Sequence, residues 1–172
     1  MWIESSRGVI GVLVGVIAGG IITTGATIFI DSIKSKREAS TLAHAFRGEI
    51  KAIHDIARKR HYIASLHALI DHMRRTQQPL TFNIRVHREY FGVFKGNINK
   101  IGALENPLPE RIAGFYVTVN SILEDIDMIE DGGASWTSAS DAILFYTELV
   151  SLFEEVNKSA EEIITIIDEI YA

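Results

Sequence analysis

Residues 8–30 read GVIGVLVGVIAGGIITTGATIFI and contain no ionisable side chain. A helix needs about 20 apolar residues to cross a hydrocarbon layer roughly 30 Å thick, and this segment is long enough. A cleaved signal peptide is the alternative, but its apolar core is about 7–15 residues long and ends at a small-residue cleavage site. The sequence therefore predicts a retained transmembrane helix over residues 8–30, preceded by a short external tail, residues 1–7.

Basic residues are distributed unevenly around this segment. Lys34, Lys36 and Arg37 follow it, whereas Arg7 alone precedes it. Loops rich in Lys and Arg stay on the cytoplasmic side of a membrane. We therefore expect a single-pass protein of the inner membrane, with its N-terminus outside and residues 31–172 forming a cytoplasmic domain. Lys34, Lys36 and Arg37 are then predicted to contact anionic membrane lipid.

Small residues recur at every fourth position within the segment. Residues at this spacing lie along one face of a helix, where small side chains let a second backbone approach closely. The pattern predicts a helix–helix interface and hence a homo-oligomer. The alternative is a glycine-rich helix that has no partner. The predicted interface consists of Gly11, Gly15, Gly19, Thr23 and Thr27.

The remaining chain has the periodicity of helices. Apolar residues recur every three or four positions, which is typical of amphipathic helices that bury one face. The prolines at 79, 107 and 109 mark breaks, and short connections favour antiparallel neighbours. The sequence predicts an all-α fold in which the transmembrane helix is followed by an antiparallel helical bundle with coiled-coil-like pairing. The predicted helices cover residues 32–75, 89–104 and 109–130, and the stretch from about 137 to the end, with an extended connector at 80–86.

Charge is segregated along the chain. Residues 34–76 hold ten Lys or Arg against four Asp or Glu, whereas residues 105–172 hold two against fifteen. One interpretation is intramolecular, with a basic first helix packing beside acidic later helices. Contact of the first basic residues with lipid is a second interpretation. A nucleic-acid partner is not predicted, because the net charge is −5 and aromatic residues are not interleaved with the basic ones.

Motifs for catalysis or metal binding are missing from the sequence. The six histidines show neither His-x-x-x-His nor Glu-x-x-His spacing, and the chain has no cysteine. There is no phosphate-binding glycine loop and no Gly-x-Ser-x-Gly elbow. The adjacent carboxylates are expected on solvated helix faces. We therefore predict no catalytic, cofactor or metal site, and a protein that is not an enzyme.

Two stretches resemble known sequences. Residues 42–53, LAHAFRGEIKAI, and residues 114–123 are similar to stretches of uncharacterised bacterial single-pass membrane-anchored helical proteins. The resemblance implies a helical fold with one anchor, and it implies no activity and no site residues.

Two functions are compatible with these features. The first is a non-enzymatic, membrane-anchored helical protein that self-associates through its transmembrane helix and presents its bundle to a protein partner. The alternative is a membrane-tethered sensor or regulatory module that binds a small ligand within the bundle. A pocket lined by Phe91, Phe94, Tyr116 and Tyr146 would favour the alternative, and a solid core would count against it.

Overall fold

The computed structural model describes the backbone of residues 4–82, 91–130 and 136–172, and the side chains of residues 31–82, 91–129 and 136–172. Helices account for nearly all of these ranges, so the all-α prediction and the helical-bundle prediction are confirmed. The helices described are α1 Glu4–Lys59, α2 Tyr62–Thr76, α3 Gly92–Asn97, a 3₁₀ helix Ile98–Ala103, α4 Leu108–Glu130 and α5 Ala139–Ile170.

The chain divides into two compact units, Met1–Ser40 and Thr41–Ala172. In the first unit the exposed Lys34 and Glu38 approach each other to 4.0 Å, one helical turn apart. In the second unit the apolar stripes of the helices merge into one hydrophobic core. The second unit contains every site described below.

α1 and α2 both run antiparallel to α5. Near the start of the second unit, Arg47 of α1 pairs with Asp168 at the far end of α5. Further along, the ring of Tyr62 at the start of α2 lies 5.6 Å from that of Phe153 in the middle of α5. Later positions along α1 and α2 therefore contact earlier positions along α5, as antiparallel packing requires.

α4 also packs against α5 in the antiparallel direction. Arg111, at the start of α4, donates a hydrogen bond of 3.0 Å to Glu162, near the end of α5. At the opposite end of the pair, Asp125 of α4 lies close enough to Glu148 of α5 to feel its charge. α5 therefore contacts α1 and α2 of the basic segment and also α4 of the acidic segment.

α5 shows why these residues form this helix. Ser138 caps its N-terminus by accepting a hydrogen bond from the backbone N–H of Asp141, which satisfies a donor that the helix leaves open. Its buried side chains recur every three or four positions along one stripe and face the core. The buried residues of α5 are Ala139, Ala142, Tyr146, Leu149, Val150, Phe153, Val156, Ala160, Ile163 and Ile167.

The predicted continuous helix over residues 32–75 is wrong at one point, because α1 ends at Lys59 and α2 begins at Tyr62. His61 lies between them in the left-handed region, with φ of 53°. Residues other than glycine adopt this conformation rarely, and no glycine or proline marks the break in the sequence. Gly48, by contrast, lies within the uninterrupted α1, although glycine is less favourable than alanine inside a helix.

The segment after α2 also differs from its prediction. The helix predicted over residues 89–104 divides into α3 and the tighter 3₁₀ helix. Residues 77–82 have no regular secondary structure, and the Phe82 N–H donates a 3.0 Å hydrogen bond to the hydroxyl of Tyr146. The rest of the predicted extended connector, residues 83–86, lies outside the described residues.

Among the residues that the structure describes, no helix combines the length and the apolar character needed to cross a membrane. α4 and α5 have the length, but they bury one apolar stripe and carry charged residues elsewhere. This finding contradicts the predicted single-pass transmembrane architecture and the predicted inner-membrane location with a cytoplasmic C-terminal domain. Residues 8–30, with their predicted interface, lie outside the residues whose side chains are described.

Candidate functional site

An apolar cleft opens beside the break between α1 and α2. Its cavity has a volume of about 80 Å³, which is well below the range of drug-sized pockets, about 300–1,000 Å³, so only a small apolar group fits inside it. Apolar side chains of α1, α4 and α5 form most of its wall. The cleft is lined by Ile53, Ile56, Ala57, Arg60, Tyr62, Phe91, Val119, Ile122, Leu123, Ile126, Phe153 and Val156.

The helix break shapes this cleft. The N–H of His61 donates to the carbonyl of Arg58 at 3.1 Å, which tightens the end of α1, and the N–H of Ser65 donates to the carbonyl of His61 at 3.0 Å. The turn lets Tyr62 pack its ring against Phe153 while α1 still faces α4. Without the break at His61, residues after Lys59 would continue along the axis of α1.

Arg60 and Tyr62 are the polar groups in the cleft wall. The Arg60 guanidinium donates a hydrogen bond of 3.1 Å from Nη1 to the Tyr62 hydroxyl. Arg60 is exposed, whereas Tyr62 is half-buried against the core. The cleft can therefore hold an apolar group inside and a polar group at its mouth.

A second polar site lies inside an aromatic cluster. The Glu49 carboxylate accepts hydrogen bonds from the backbone N–H groups of Val93 at 2.6 Å and Phe94 at 3.1 Å, and another from the Tyr116 hydroxyl. Tyr116 stacks on Phe94 with ring centroids 4.0 Å apart. Glu49 thus caps α3 and holds it against α1 and α4.

Burial first, and then the hydrogen bond and the negative charge of Glu49, raise the pKa of Tyr116 well above its usual value. The phenol therefore stays protonated and donates to Glu49 throughout the neutral range. All three groups that contact the Glu49 carboxylate are donors. The arrangement is suited to holding α3 in place, and Phe91, which immediately precedes α3, is thereby held in the cleft wall.

His54 is the buried histidine among those the structure describes, with 6 % of its surface exposed. Its Nε2 lies 3.4 Å from Glu161 Oε1, and its Nδ1 lies 3.8 Å from Asp55 Oδ1. The first distance fits an ion pair, but Nε2 has no hydrogen bond of acceptable alignment. Because hydrogen bonds weaken steeply away from linearity, the contact with Glu161 is a close approach rather than a hydrogen bond.

The other described histidines, at positions 44, 61, 67 and 72, are exposed. Throughout the described ranges, no group of three or more His, Cys, Asp or Glu side chains is placed so that it could hold a metal ion.

The acidic residues of α4 and α5 lie outside the cleft wall. Burial, together with the charges of Glu124 and Glu148, raises the pKa of Asp125. Near the end of α5, Glu162 accepts a hydrogen bond from Arg111 and lies 3.8 Å from Lys158. Glu162 lines an open groove whose wall mixes polar and apolar groups, together with Glu110 and Glu155. The arrangement resembles a charged helix surface more closely than an acid–base pair, which needs a cleft that shifts one pKa.

The basic and acidic halves of the chain meet at Arg47 and Asp168. Two hydrogen bonds, 2.6 Å from Nε and 2.8 Å from Nη2, join the guanidinium to the carboxylate. This bidentate pair lowers the pKa of Asp168, chiefly through its hydrogen bonds, which outweigh the opposing effect of burial, and in smaller part through the charge of Arg47. The pair agrees with the intramolecular interpretation of the charge segregation.

We expect Arg47→Gln to lower the free energy of unfolding at pH 7 and to lose this effect in acid. The folded pKa of Asp168 is lowered, so the stabilisation is complete above its unfolded pKa of about 3.9 and disappears as the pH falls through the lower folded value. Urea unfolding of wild type and variant between pH 7 and pH 3 measures the difference. Lys95→Gln, at an exposed position on α3, is the control. A deficit that is independent of pH would contradict the prediction.

Of the four residues named for a pocket, Phe91, Phe94 and Tyr116 pack against one another, with the ring centroids of Phe91 and Tyr116 5.7 Å apart, whereas Tyr146 packs against Trp136 and Phe145. Tyr116 and Tyr146 are buried in the core, and Phe94 stacks on Tyr116, whereas Phe91 lines the cleft. The remaining cleft was missed, because packing between α1, α4 and α5 brings its residues together, and local periodicity does not show which helices become neighbours. Lys34, Lys36 and Arg37 are exposed, and Gly11, Gly15, Gly19, Thr23 and Thr27 lie outside the described side chains.

Comparisons with family models, with curated proteins and with solved structures each found no match to this chain.

Proposed function

We propose that the helical bundle is a non-enzymatic binding module that holds a small apolar ligand in the cleft between α1, α4 and α5. The observation that carries this proposal is the cleft itself, whose wall is almost entirely apolar and whose mouth is open to solvent. Binding an apolar molecule there removes apolar surface from water on both partners, which favours association.

The position of the cleft supports a regulatory role for binding. Its wall includes Ile56 and Ala57 at the end of α1 and Tyr62 at the start of α2, so a ligand contacts both sides of the helix break. It also contacts Phe91, immediately before α3. A bound ligand therefore stabilises the arrangement of three segments that are otherwise joined by a turn and an irregular connector.

Filling the cleft with a side chain tests the proposal. We expect the full chain to bind the neutral probe 1-octanol, and we expect Ala57→Phe to weaken that binding by about tenfold, because the new ring occupies space in the cleft. Isothermal titration calorimetry measures the dissociation constant, and circular dichroism checks that each variant is folded.

Ala52→Phe is the matched control, because Ala52 is exposed on the same helix and is not part of the cleft wall. The same substitution there is expected to leave octanol binding unchanged. Equal octanol affinity in both variants would place the probe elsewhere on the chain and would contradict the proposed function.

A protein partner is the second candidate. Leu144 of α5 is 62 % exposed and Met128 of α4 is 42 % exposed, and both lie toward the end of the helix pair where α4 ends and α5 begins. A partner surface that covers this end of the helix pair would remove both side chains from water. Replacing both residues with serine is expected to abolish such a contact and to leave octanol binding unchanged.

A further inference from the structure

We propose that His54 is a pH-sensitive link between α1 and α5, which forms when its imidazole is protonated and pairs with Glu161. His54 is buried, with 6 % of its surface exposed, and its Nε2 lies 3.4 Å from Glu161 Oε1 without a hydrogen bond. Histidine is the side chain whose charge ordinarily changes between pH 5 and pH 8. The link does not involve the cleft, so it does not rest on the proposed function.

The position of this contact follows from the antiparallel register of the two helices. Arg47 of α1 pairs with Asp168 of α5, and His54 of α1 lies opposite Glu161 of α5. The two contacts are seven residues apart on each helix, which is about two turns. The helix pair therefore has two polar contacts in line. Arginine is always charged, so the first contact is permanent, whereas the second gains its cation only when His54 is protonated.

Protonation changes what the imidazole of His54 can do at this place. A neutral imidazole donates from one nitrogen and accepts at the other, whereas a protonated one donates from both. Both nitrogens of His54 approach carboxylates, since Nδ1 lies 3.8 Å from Asp55 Oδ1. In the neutral ring, the nitrogen without a proton faces a carboxylate oxygen, and neither atom can donate. Uptake of a proton allows a charge-assisted hydrogen bond from Nε2 to Glu161.

The charged neighbours of His54 on its own helix largely offset one another. Lys51 donates a hydrogen bond of 3.1 Å to Asp55, and this bond is the main reason that the pKa of Asp55 is lowered. Arg58 and Lys59, about one turn after His54, are exposed to water, which screens their charges. α1 itself therefore supplies little attraction for a proton on His54, and the attraction must come from α5.

On α5, Glu161 is the charged residue that contacts His54. Its side chain is 64 % exposed, so the carboxylate has room for the small movement that aligns it with an N–H of the ring. Lys158, about one turn earlier, lies 3.8 Å from Glu162 and pairs with that residue. Water at the exposed carboxylate weakens the contact with the protonated ring. We therefore expect the link to change the unfolding equilibrium constant by about fivefold.

A double-mutant cycle at two pH values tests the link. Urea unfolding of the full chain measures the unfolding equilibrium constant of wild type, His54→Gln, Glu161→Gln and the double variant. The measurements are made at pH 8 and at pH 5.5, which lies between the ordinary pKa of glutamate, about 4.3, and that of histidine, about 6.5. At pH 5.5 we expect Glu161→Gln to raise the constant about fivefold when His54 is present and to have no effect in the His54→Gln background. At pH 8 we expect no effect in either background.

Two matched controls separate the link from general effects of charge. Glu154→Gln removes another exposed carboxylate of α5 and is expected to have the same effect at both pH values. His67→Gln removes an exposed histidine of α2 and is expected to preserve the pH dependence of Glu161→Gln. Because Glu161 is exposed, its variant is expected to fold, so its effects at the two pH values decide the proposal even if His54→Gln does not fold.

An equal effect of Glu161→Gln at pH 8 and pH 5.5 would overturn the proposal. An effect at pH 5.5 that persists in the His54→Gln background would also overturn it, because the partner of Glu161 would then be another group. Neither result bears on the cleft, so the proposed function is tested separately by octanol binding.

Discussion

Phe46→Ala is expected to lower the free energy of unfolding by about 4 kcal/mol, because it removes a fully buried ring and leaves a cavity. Phe46 has 0 % of its surface exposed, and its ring makes edge contacts with Phe94 and Tyr116, at centroid distances of 6.5 Å and 6.4 Å. The substitution therefore loosens α1 from both α3 and α4. Urea unfolding followed by circular dichroism measures the change.

Leu144→Ala is the control for this measurement. Leu144 is 62 % exposed, so its truncation is expected to change the free energy of unfolding by less than about 0.5 kcal/mol. A loss below about 1 kcal/mol for Phe46→Ala would mean that its side chain does not lie in the core, and the placement of α1 against α3 and α4 would then be wrong.

Glu49→Leu is expected to cost about 3 kcal/mol, because it removes the acceptor of three hydrogen bonds while their donors remain in a partly buried site. The donors are the N–H groups of Val93 and Phe94 and the hydroxyl of Tyr116. The same variant is expected to accelerate hydrogen exchange at the amides of Val93 and Phe94. The aliphatic replacement keeps much of the side-chain volume, so the effect reports the lost hydrogen bonds rather than a cavity.

A double-mutant cycle with Tyr116→Phe isolates one of these bonds. If the Tyr116 hydroxyl donates to Glu49, the double variant is less destabilised than the two single variants added together, by about 1–3 kcal/mol. Glu49→Gln, which keeps one acceptor oxygen and removes the charge, is expected to fall between wild type and Glu49→Leu. Strict additivity in the cycle, together with unchanged exchange at Val93 and Phe94, would contradict the capping role of Glu49.

Local periodicity was sufficient to predict most of the helices. The stripe that includes Phe46 and Ile50 in α1, and the stripe that includes Phe153 and Ile163 in α5, both follow steps of three and four residues and are buried. The start of the last helix was predicted at about residue 137, and Ser138 caps α5 there by accepting a hydrogen bond from a backbone N–H that the helix leaves unpaired. These features depend on residues that are neighbours along the chain.

The predicted transmembrane helix was wrong. It was inferred from the length and apolar character of one segment, and the described helices contain no membrane-spanning candidate. The four aromatic residues whose pocket would have favoured a ligand do not line one cavity, because Tyr116 and Tyr146 are fully enclosed by other helices. Residue type and spacing along one helix do not determine which of its apolar side chains other helices will fully bury.

By itself, the sequence determined that this chain forms amphipathic helices, where α4 and α5 lie, and that a basic half precedes an acidic half. Only the tertiary structure decided that the helix breaks at His61, that Glu49 receives donors from α3 and α4, and that Arg60 stands at the mouth of an apolar cleft. The physical reason is that a left-handed residue without glycine and a shared carboxylate are stabilised by contacts between segments far apart in the chain, which local periodicity does not encode.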